Sequence, residues 1–391
     1  MAARPAGRLA GADDRIGRQL FCPVRHAGRG GKRRRGLSRF RAGGDPGSAG
    51  DAGMMAGLVS ALTAFLVALI VAGVMLRAGI IDRPNARSNH DSPTPRGGGL
   101  GAMAGVFSAW ALLDAGSPAT GAALAGIALG GGIAAALGLL DDLVTLSETL
   151  KFMVLALVSI AVAGMAGPVT ELGIALPWLV GLAGSALWIF TTANAVNFMD
   201  GSDGLIAAVL IPAALALGVL AGGSVAVAAF GVAGAMAGFA VWNAPLAGAR
   251  GRLFCGDAGA LGMAVVFAGL ALFWARMSGE GTVWLAPLLI LPLLGDVLLT
   301  MAARVRAGRS AFVAHRAHAY QLMIALGASH RRVAGLWAVW SAGCGAVALA
   351  AQALGGGWIN ALALAAGIAA FWIFHRQVRK RADAAGLDVY Q

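Results

Sequence analysis

Five short polar segments separate the long apolar stretches of this chain, and the richest of them is NAVNFMDGSDGL (194–205). Asn194 and Asn197 are three residues apart and share a helix face, and Asp200 and Asp203 follow in a turn that contains two glycines. Two amides and two carboxylates at this spacing form a hard-oxygen environment suited to Mg²⁺ or to a sugar nucleotide. The alternative is a polar turn in which Asp203 caps the next helix, but this leaves Asn194, inside an apolar span, unexplained.

Two further segments place carboxylates at the ends of apolar helices. Asp141 and Asp142 end one helix, and adjacent carboxylates repel each other unless a cation or a proton lies between them. A solvated helix end is the competing interpretation of this pair. Asp257, in FCGDAGALG, opens another helix, where it either caps the N-terminus or binds a metal that also contacts a phosphate.

Basic residues and histidines accompany these acids. His315 and His318 flank Arg316 in AHRAHAYQ. A zinc pair has no third or fourth ligand at a suitable spacing, so a cationic wall for phosphates is the better interpretation, and an ordinary basic loop the plainer one. Arg96 precedes three glycines at the start of a span, and Lys151 starts another. We include both as candidate substrate-binding residues.

One acid, Asp296, lies inside an apolar span, about two turns before Arg304. An acid at membrane depth is by default a functional hypothesis, and pairing with the loop arginine is the structural alternative.

Membrane helices must position these segments. The 391 residues are 58% hydrophobic and 12% charged, with a mean hydropathy of +0.76, whereas soluble chains carry roughly 25% charged residues. Because a span needs about 20 apolar residues, we predict an all-α polytopic integral membrane protein with ten or eleven transmembrane helices. The candidate spans are 54–76, 98–115, 119–140, 150–166, 175–194, 204–222, 224–242, 258–275, 283–303, 333–354 and 358–375.

Lysines and arginines in the loops predict the orientation of these spans. When residue 54 starts outside, seventeen of the eighteen basic residues after residue 53 fall inside, and Arg276 alone falls outside. Since positive charge stays on the cytoplasmic side, we expect a multi-pass protein whose polar segments form an active site at the cytoplasmic face. The expected organisation is a transmembrane domain over 54–376 and a cytoplasmic tail over 377–391.

Residues 1–53 hold 12 of the 30 basic residues and show no hydrophobic periodicity, so we expect a disordered basic extension. No apolar region follows these charges before residue 54, which argues against a signal peptide. One interpretation is an upstream extension of the gene model, with Met54 or Met55 as the true start. Nucleic-acid binding by KRRR is the alternative, and beside a membrane domain we expect no nucleic-acid partner.

The five polar segments are residues 82–101, 137–142, 194–205, 254–262 and 314–321. Taken together and in chain order, they resemble the polyprenyl-phosphate N-acetylhexosamine-1-phosphate transferase family, over about residues 54–330. NFMDGSDGL and HRAH look more like the O-antigen-initiating branch than the peptidoglycan branch. The resemblance implies transfer of an N-acetylhexosamine 1-phosphate from a UDP-sugar to undecaprenyl phosphate in the bacterial inner membrane, releasing UMP. It implies Mg²⁺ as the cofactor, with Mn²⁺ as a substitute.

The resemblance also assigns roles to the matching positions. The catalytic candidates are Asp141, Asp142, Asp200 and Asp203. The candidate metal ligands are Asp257 and Asp200. The candidate substrate-binding residues are Asn194, Asn197, Arg96, Lys151, His315, Arg316 and His318.

The expected partners are undecaprenyl phosphate, a UDP-N-acetylhexosamine and the lipid bilayer, and a homodimer is considered as the assembly. The rival hypothesis is a secondary transporter of an anionic solute. Transporters place their binding residues near the membrane midplane, usually with repeat symmetry. Here the polar residues cluster at one face and no repeat is found, so the enzyme is favoured.

Overall fold

The computed structural model describes residues 46–79, 81–82, 94–246, 248, 250–279, 281–310, 313 and 315–390. Within these ranges the chain forms thirteen α-helices, a one-turn 3-10 helix (Thr282–Trp284) and a two-residue antiparallel pairing of β1 (Ile81–Asp82) with β2 (Thr94–Pro95). The helices are α1 (Pro46–Ala78), α2 (Gly98–Ala111), α3 (Pro118–Val144), α4 (Glu148–Ala166), α5 (Trp178–Phe198), α6 (Leu205–Ala221), α7 (Gly223–Asn243), α8 (Gly256–Met277), α9 (Leu285–Leu289), α10 (Leu291–Arg306), α11 (Ala319–Ala325), α12 (His330–Leu354) and α13 (Gly357–Ala384).

The prediction of an all-α polytopic membrane protein is confirmed. In the described part of the chain, eight helices are long and apolar enough to cross a membrane. The 3-10 helix and α9 join α10 with a bend of 79° to form a broken span or a re-entrant segment. α2 and α6 have only 14 and 17 residues, fewer than the roughly 20 needed for a full crossing. Each predicted span coincides with one of these elements, and the count of ten or eleven stays a prediction.

Serine caps explain where three of the helices begin. Ser117, Ser147 and Ser329 precede α3, α4 and α12, and each hydroxyl accepts the backbone N–H three residues later, at 3.1, 3.3 and 3.3 Å. Serine is favoured at this position because its oxygen satisfies a backbone donor that has no partner within the helix. α6 reverses directly into α7 through Gly222 and Gly223, whose φ angles of 69° and 54° suit glycine.

α8 is the buried centre of the bundle. It packs against α2, α3, α4, α5 and α7, and its apolar length is entirely buried. A helix that is apolar all round has to be buried in this way or face lipid. α1 and α13, by contrast, expose large apolar side chains such as Ile70 and Ile373 along the outside. Asp257, in the first turn of α8, is therefore placed at the middle of one end of the bundle.

Glycines allow α2 and α3 to approach this end of α8 closely. A Cβ added at Gly138 of α3 would overlap the backbone of Asp257, and one added at Gly99 of α2 would overlap the backbone of Gly259. In membrane proteins such small residues permit tight contact between helices. Gly138 lies one turn before Asp142, so this contact also fixes where the acids of α3 lie.

The two ends of the chain differ from the predicted boundaries. α1 begins at Pro46 rather than at residue 54, and the predictions for residues 1–45 lie outside the described residues. α13 continues to Ala384, so most of the predicted tail is helical. The residues that follow fold back, and the Arg379 guanidinium donates a hydrogen bond to the Val389 carbonyl at 2.5 Å.

Candidate active site

Asp142 lies where α2, α3 and α8 meet. Its carboxylate accepts hydrogen bonds from the backbone N–H groups of Asp257 and Ala258 in the first turn of α8, a position where free N–H groups and the helix dipole favour an anion. Arg96 donates from Nη1 to Oδ1 at 3.2 Å. The Asp142 side chain is only 9% exposed. The interpretation of Asp142 as a solvated helix end is therefore wrong.

Asp141 faces the connection between α3 and α4. Its Oδ1 accepts the Leu146 N–H at 2.7 Å, and its Oδ2 forms an ion pair with Lys151 Nζ at 2.9 Å. The carboxyl group also lies within hydrogen-bonding distance of Asp257. Two carboxyl groups come this close only when a proton or a cation lies between them. The carboxyl groups of Asp141 and Asp257 are therefore direct neighbours.

Asp200, at the end of α5, completes the group. Burial raises its pKa well above the usual range, with the nearby charges of Asp257 and Asp142 adding to the increase. The residues Asp141, Asp142, Asp200 and Asp257 are called the acid cluster below. The structure thus brings together carboxylates that lie in three separate segments of the sequence.

The charge of the acid cluster fits a divalent cation. Four carboxylates face two nearby cations, Arg96 and Lys151. With all four carboxylates ionised, two negative charges remain for a cation to balance, and such a cation would replace the protons that burial and mutual repulsion now favour. The residues described contain no group of three or more His, Cys, Asp and Glu residues that could hold a metal ion. This is compatible with Mg²⁺, because Mg²⁺ usually takes one or two carboxylates and fills its remaining positions with water and phosphate oxygens.

The two amides of α5 differ in how they are satisfied. Asn194 Nδ2 donates to the Phe190 carbonyl at 2.8 Å, within its own helix. Asn197 Oδ1 is buried and has no hydrogen-bond partner among the described residues. A buried carbonyl oxygen without a partner is costly. Asn197 lies three residues before Asp200, so this oxygen is a candidate contact for a cation or a ligand at the acid cluster.

Asp203 has a different environment from the acid cluster. Its Oδ2 accepts hydrogen bonds from Arg250 Nε and from the Gly251 N–H, both at 2.9 Å. Its own backbone N–H donates to His330 Nδ1 at 3.2 Å. Asp203 thus joins the turn after α5 to the α7–α8 connection and to the start of α12. These contacts indicate that it positions the turn carrying Asp200, and its predicted catalytic role stays a prediction.

Sequence reasoning missed several residues that hold this region together. Asn243, at the end of α7, accepts the Gly204 N–H at 2.9 Å and donates to the Leu253 carbonyl at 3.0 Å. Arg331 donates to the Pro245 carbonyl at 2.7 Å. Asn243 could have been found from the sequence, because it is a polar residue at the end of an apolar span.

His315 and His318 belong to a second group, at the start of α11. Asp296 of α10 is fully buried, and its carboxylate accepts the N–H groups of Ala319 and Tyr320 at 2.8 and 3.2 Å. Its Oδ1 lies 3.6 Å from His318 Nδ1. The ring centroids of His315 and His318 are 4.8 Å apart. Asp296 therefore caps α11 and orients residues 315–318, which are called the histidine segment below.

The suggested pairing of Asp296 with Arg304 is wrong. Arg304 instead donates to the Tyr390 carbonyl at 2.6 Å. Asp296 lies 3.7 Å from His375 Nε2, and the Thr300 hydroxyl is hydrogen-bonded to both, at 3.2 and 3.0 Å. His375 was missed by the sequence analysis, although a histidine inside an apolar helix is itself a signal of function.

Burial decides the charge of His315. It lowers the pKa of His315 to about 3, and the neighbouring His318 adds to the effect. His315 is therefore neutral near pH 7, and the idea of a cationic wall fails for it. In the described part of the chain, no hydrogen bond or ion pair joins either histidine to the acid cluster. α10 packs against α5, so the histidine segment and the acid cluster belong to neighbouring helices. Arg316, between the two histidines, is exposed.

We expect Asp296→Asn to lower both the unfolding temperature and turnover. An amide has one acceptor oxygen, so a buried N–H of Ala319 or Tyr320 loses its partner, which costs about 1–3 kcal/mol. Thermal unfolding of the purified protein measures this. Asp114→Asn, an exposed change at the other end of the bundle, is the control, and equal stability of the two variants would contradict the capping role.

Comparison with known proteins identifies the family. A decaprenyl-phosphate N-acetylglucosaminephosphotransferase from Mycolicibacterium smegmatis is 30% identical over 330 residues, which cover 73% of this chain and 79% of the relative. Residues 114–275 match the family described as Glycosyl transferase family 4. This chain belongs to glycosyl transferase family 4. The resemblance drawn from the five polar segments is thereby confirmed.

Other members of family 4 agree with this assignment. A probable undecaprenyl-phosphate N-acetylglucosaminyl 1-phosphate transferase from Bacillus subtilis is 28% identical over 290 residues, covering 71% of this chain and 79% of the relative. An undecaprenyl-phosphate alpha-N-acetylglucosaminyl 1-phosphate transferase from Yersinia pestis is 29% identical over 272 residues, covering 66% and 73%. The matched range 114–275 contains all four residues of the acid cluster and excludes the histidine segment.

Proposed function

We propose that this family 4 protein transfers an N-acetylhexosamine 1-phosphate from a UDP-sugar to undecaprenyl phosphate, giving undecaprenyl-diphospho-sugar and UMP. The observation that carries the proposal is the acid cluster, partly buried beside Arg96 and Lys151 at one end of a membrane bundle. The relatives' names describe sugar-phosphate transfer to polyprenyl phosphates. Because these names specify N-acetylglucosamine, we propose it as the first candidate for the sugar. We also propose that the product is used to make a surface polysaccharide of the O-antigen type.

The chemistry explains why such a site is needed. A phosphate oxygen of the lipid attacks the β-phosphorus of the UDP-sugar, a new P–O bond forms, and the bond to the α-phosphate breaks to release UMP. Both reactants are anions, so catalysis rests on positioning and on charge neutralisation. One anhydride replaces another, so the free energy changes little. A bound Mg²⁺, or Mn²⁺ in its place, would supply charge neutralisation on the phosphate oxygens.

The contacts suggest a division of roles among the acids. Asp200 and Asp257 are proposed as the metal ligands. Asp257 lies in the first turn of α8, and Asp200 lies close enough for the charge of Asp257 to raise its pKa. Asp141 and Asp142 are proposed to orient the lipid phosphate and to accept its proton. The unpartnered Asn197 oxygen is proposed as a contact to the nucleotide or the metal.

The position of the acid cluster suits a lipid substrate. The acid cluster lies at the ends of α3 and α5 and at the start of α8, where apolar helices meet the membrane surface. A polyprenyl chain can stay in the bilayer there while its phosphate reaches the acids. We propose that this end of the bundle is cytoplasmic, where UDP-sugars are found, and that the membrane is the bacterial inner membrane.

Release of UMP tests the proposed function directly. The full chain, purified in detergent, is incubated with undecaprenyl phosphate, Mg²⁺ and each member of a panel of UDP-N-acetylhexosamines. We expect UMP to form with one or two of the sugars, to require the lipid, and to stop when a chelator removes the metal. No UMP with any sugar, together with uptake of a sugar phosphate into vesicles, would favour a transporter.

The mass of the purified protein in detergent tests the predicted homodimer.

Cysteine labelling tests the proposed orientation. Thr149 and Ser278 are exposed at opposite ends of the bundle, whereas the native Cys255 and Cys344 are buried. With Cys22 replaced by serine, we expect Ser278→Cys to react with an impermeant thiol reagent in intact cells, and Thr149→Cys to react only after the membrane is made permeable. The opposite pattern would place the acid cluster outside the cell and contradict the use of a UDP-sugar.

A further inference from the structure

A second polar cleft, separate from the acid cluster, lies between α10 and α13. Its volume is about 310 Å³. Four cationic side chains line it, from Arg306, Arg376, Arg379 and Lys380, against the single carboxylate of Asp383. The net positive charge is the reverse of that at the acid cluster, so the two sites suit different ligands.

The cleft changes from apolar to basic along the helix axes. On α13, Trp372, Arg376 and Lys380 are spaced four residues apart and therefore share one face. On α10, Leu299 and Ala303 precede Arg306. The Arg376 guanidinium lies 5.4 Å from the centroid of the half-exposed Trp372 ring. Tryptophan with basic residues one turn further on is typical of the boundary between acyl chains and headgroups.

Most of this positive charge is not balanced by protein. Within the described ranges, Arg306, Arg376 and Lys380 form no ion pair, and all three are exposed. Arg379 is used differently, since it donates to the Ala317 carbonyl at 3.1 Å and lies over the Tyr390 ring at 4.9 Å. Arg379 therefore builds the wall of the cleft, and the other three cations are available to an anion.

We propose that this cleft binds the phosphodiester headgroup of an anionic membrane phospholipid. A phospholipid presents an acyl chain next to a phosphate, in the same order as the apolar and basic parts of the cleft. Arginine and lysine bind phosphate oxygens through charge-assisted hydrogen bonds, and basic clefts between membrane helices are suited to anionic headgroups. No divalent cation is needed here, unlike at the acid cluster.

The bound lipid would contact the wall that supports the histidine segment. Arg379 holds the carbonyl of Ala317, which lies between His315 and His318. His375, also in the cleft, is bonded to Thr300 and through it to Asp296. Occupation of the cleft should therefore stabilise the segment that Asp296 caps, and anionic lipid should raise the unfolding temperature.

Lipid binding to the full chain tests this proposal without reference to turnover. The protein is reconstituted in phosphatidylcholine nanodiscs with increasing phosphatidylglycerol, and retained phosphatidylglycerol is counted by native mass spectrometry. The variant Arg376→Gln/Lys380→Gln removes two cations from the cleft. Each cation near a membrane surface contributes about fivefold to anionic-lipid affinity, so we expect a loss of about 25-fold. The control, Arg332→Gln/Arg381→Gln, removes two exposed cations outside the cleft and should keep the affinity.

Several results would overturn the proposal. Unchanged retention in the cleft variant, or an equal loss in the control, would show that general surface charge attracts the lipid. Stabilisation by inorganic phosphate equal to that by phosphatidylglycerol would show a phosphate site instead of a lipid site. If the double variant does not fold, Arg306→Gln on the opposite wall gives a second measurement, with a fivefold loss expected.

Discussion

Asp257→Asn and Asp200→Asn are each expected to lower turnover by about 100- to 1,000-fold while the protein stays folded. Loss of one preorganised electrostatic group typically has an effect of this order. Each change removes a negative charge that a hard cation requires and hardly alters the side-chain volume. In Asp257→Asn the new amide can still donate to Asp141, its present neighbour. The expected loss is therefore one of charge and not of packing.

Release of UMP as a function of Mg²⁺ concentration measures this loss, and thermal unfolding checks the fold. Asp114→Asn is the matched control, because it removes the same charge from an exposed carboxylate between α2 and α3. We expect the control to keep normal turnover at every Mg²⁺ concentration. Near-normal turnover of either cluster variant at limiting Mg²⁺ would show that its carboxylate is not a metal ligand.

The sequence predicted the members of the acid cluster but not their separate environments. Asp141 and Asp142 are adjacent, yet one pairs with Lys151 and the other with Arg96 and the first turn of α8. Adjacent helical residues point in directions about 100° apart, so each meets a different neighbour. Which neighbour that is depends on how α3 packs against α8, and no local pattern encodes it.

Burial accounts for the predictions that failed. Two histidines beside arginines indicated positive charge, but His315 is partly buried and its pKa falls to about 3. Asp296 precedes Arg304 by about two turns and was a reasonable partner for it. The start of α11 comes to Asp296 instead, with two N–H groups that need an acceptor. Both outcomes depend on long-range packing, whereas the apolar helices depend on local composition, and each predicted span coincides with helical structure.

The close contact of α3 with α8 leads to a second large expected effect, for Gly138→Ala. The added methyl group would overlap the backbone of Asp257 and Ala258, which cannot move aside as a flexible side chain would. Overpacking of this kind costs about 1–3 kcal/mol. The helices must separate, and the Asp142 carboxylate then loses the N–H groups of α8 that now hold it. A displacement of about 1 Å in such a site lowers turnover by about 100-fold.

The matched control for this change is Gly164→Ala in α4, where nothing lies within 4 Å of the added Cβ. Alanine favours a helix more than glycine does, so this control should keep turnover and unfold at the same temperature or slightly higher. Gly138→Ala should unfold at a lower temperature and release UMP far more slowly, even at saturating Mg²⁺. Because the variant keeps every acid, normal turnover would show that the tight contact of α3 with α8 is not what holds the acid cluster in its working geometry.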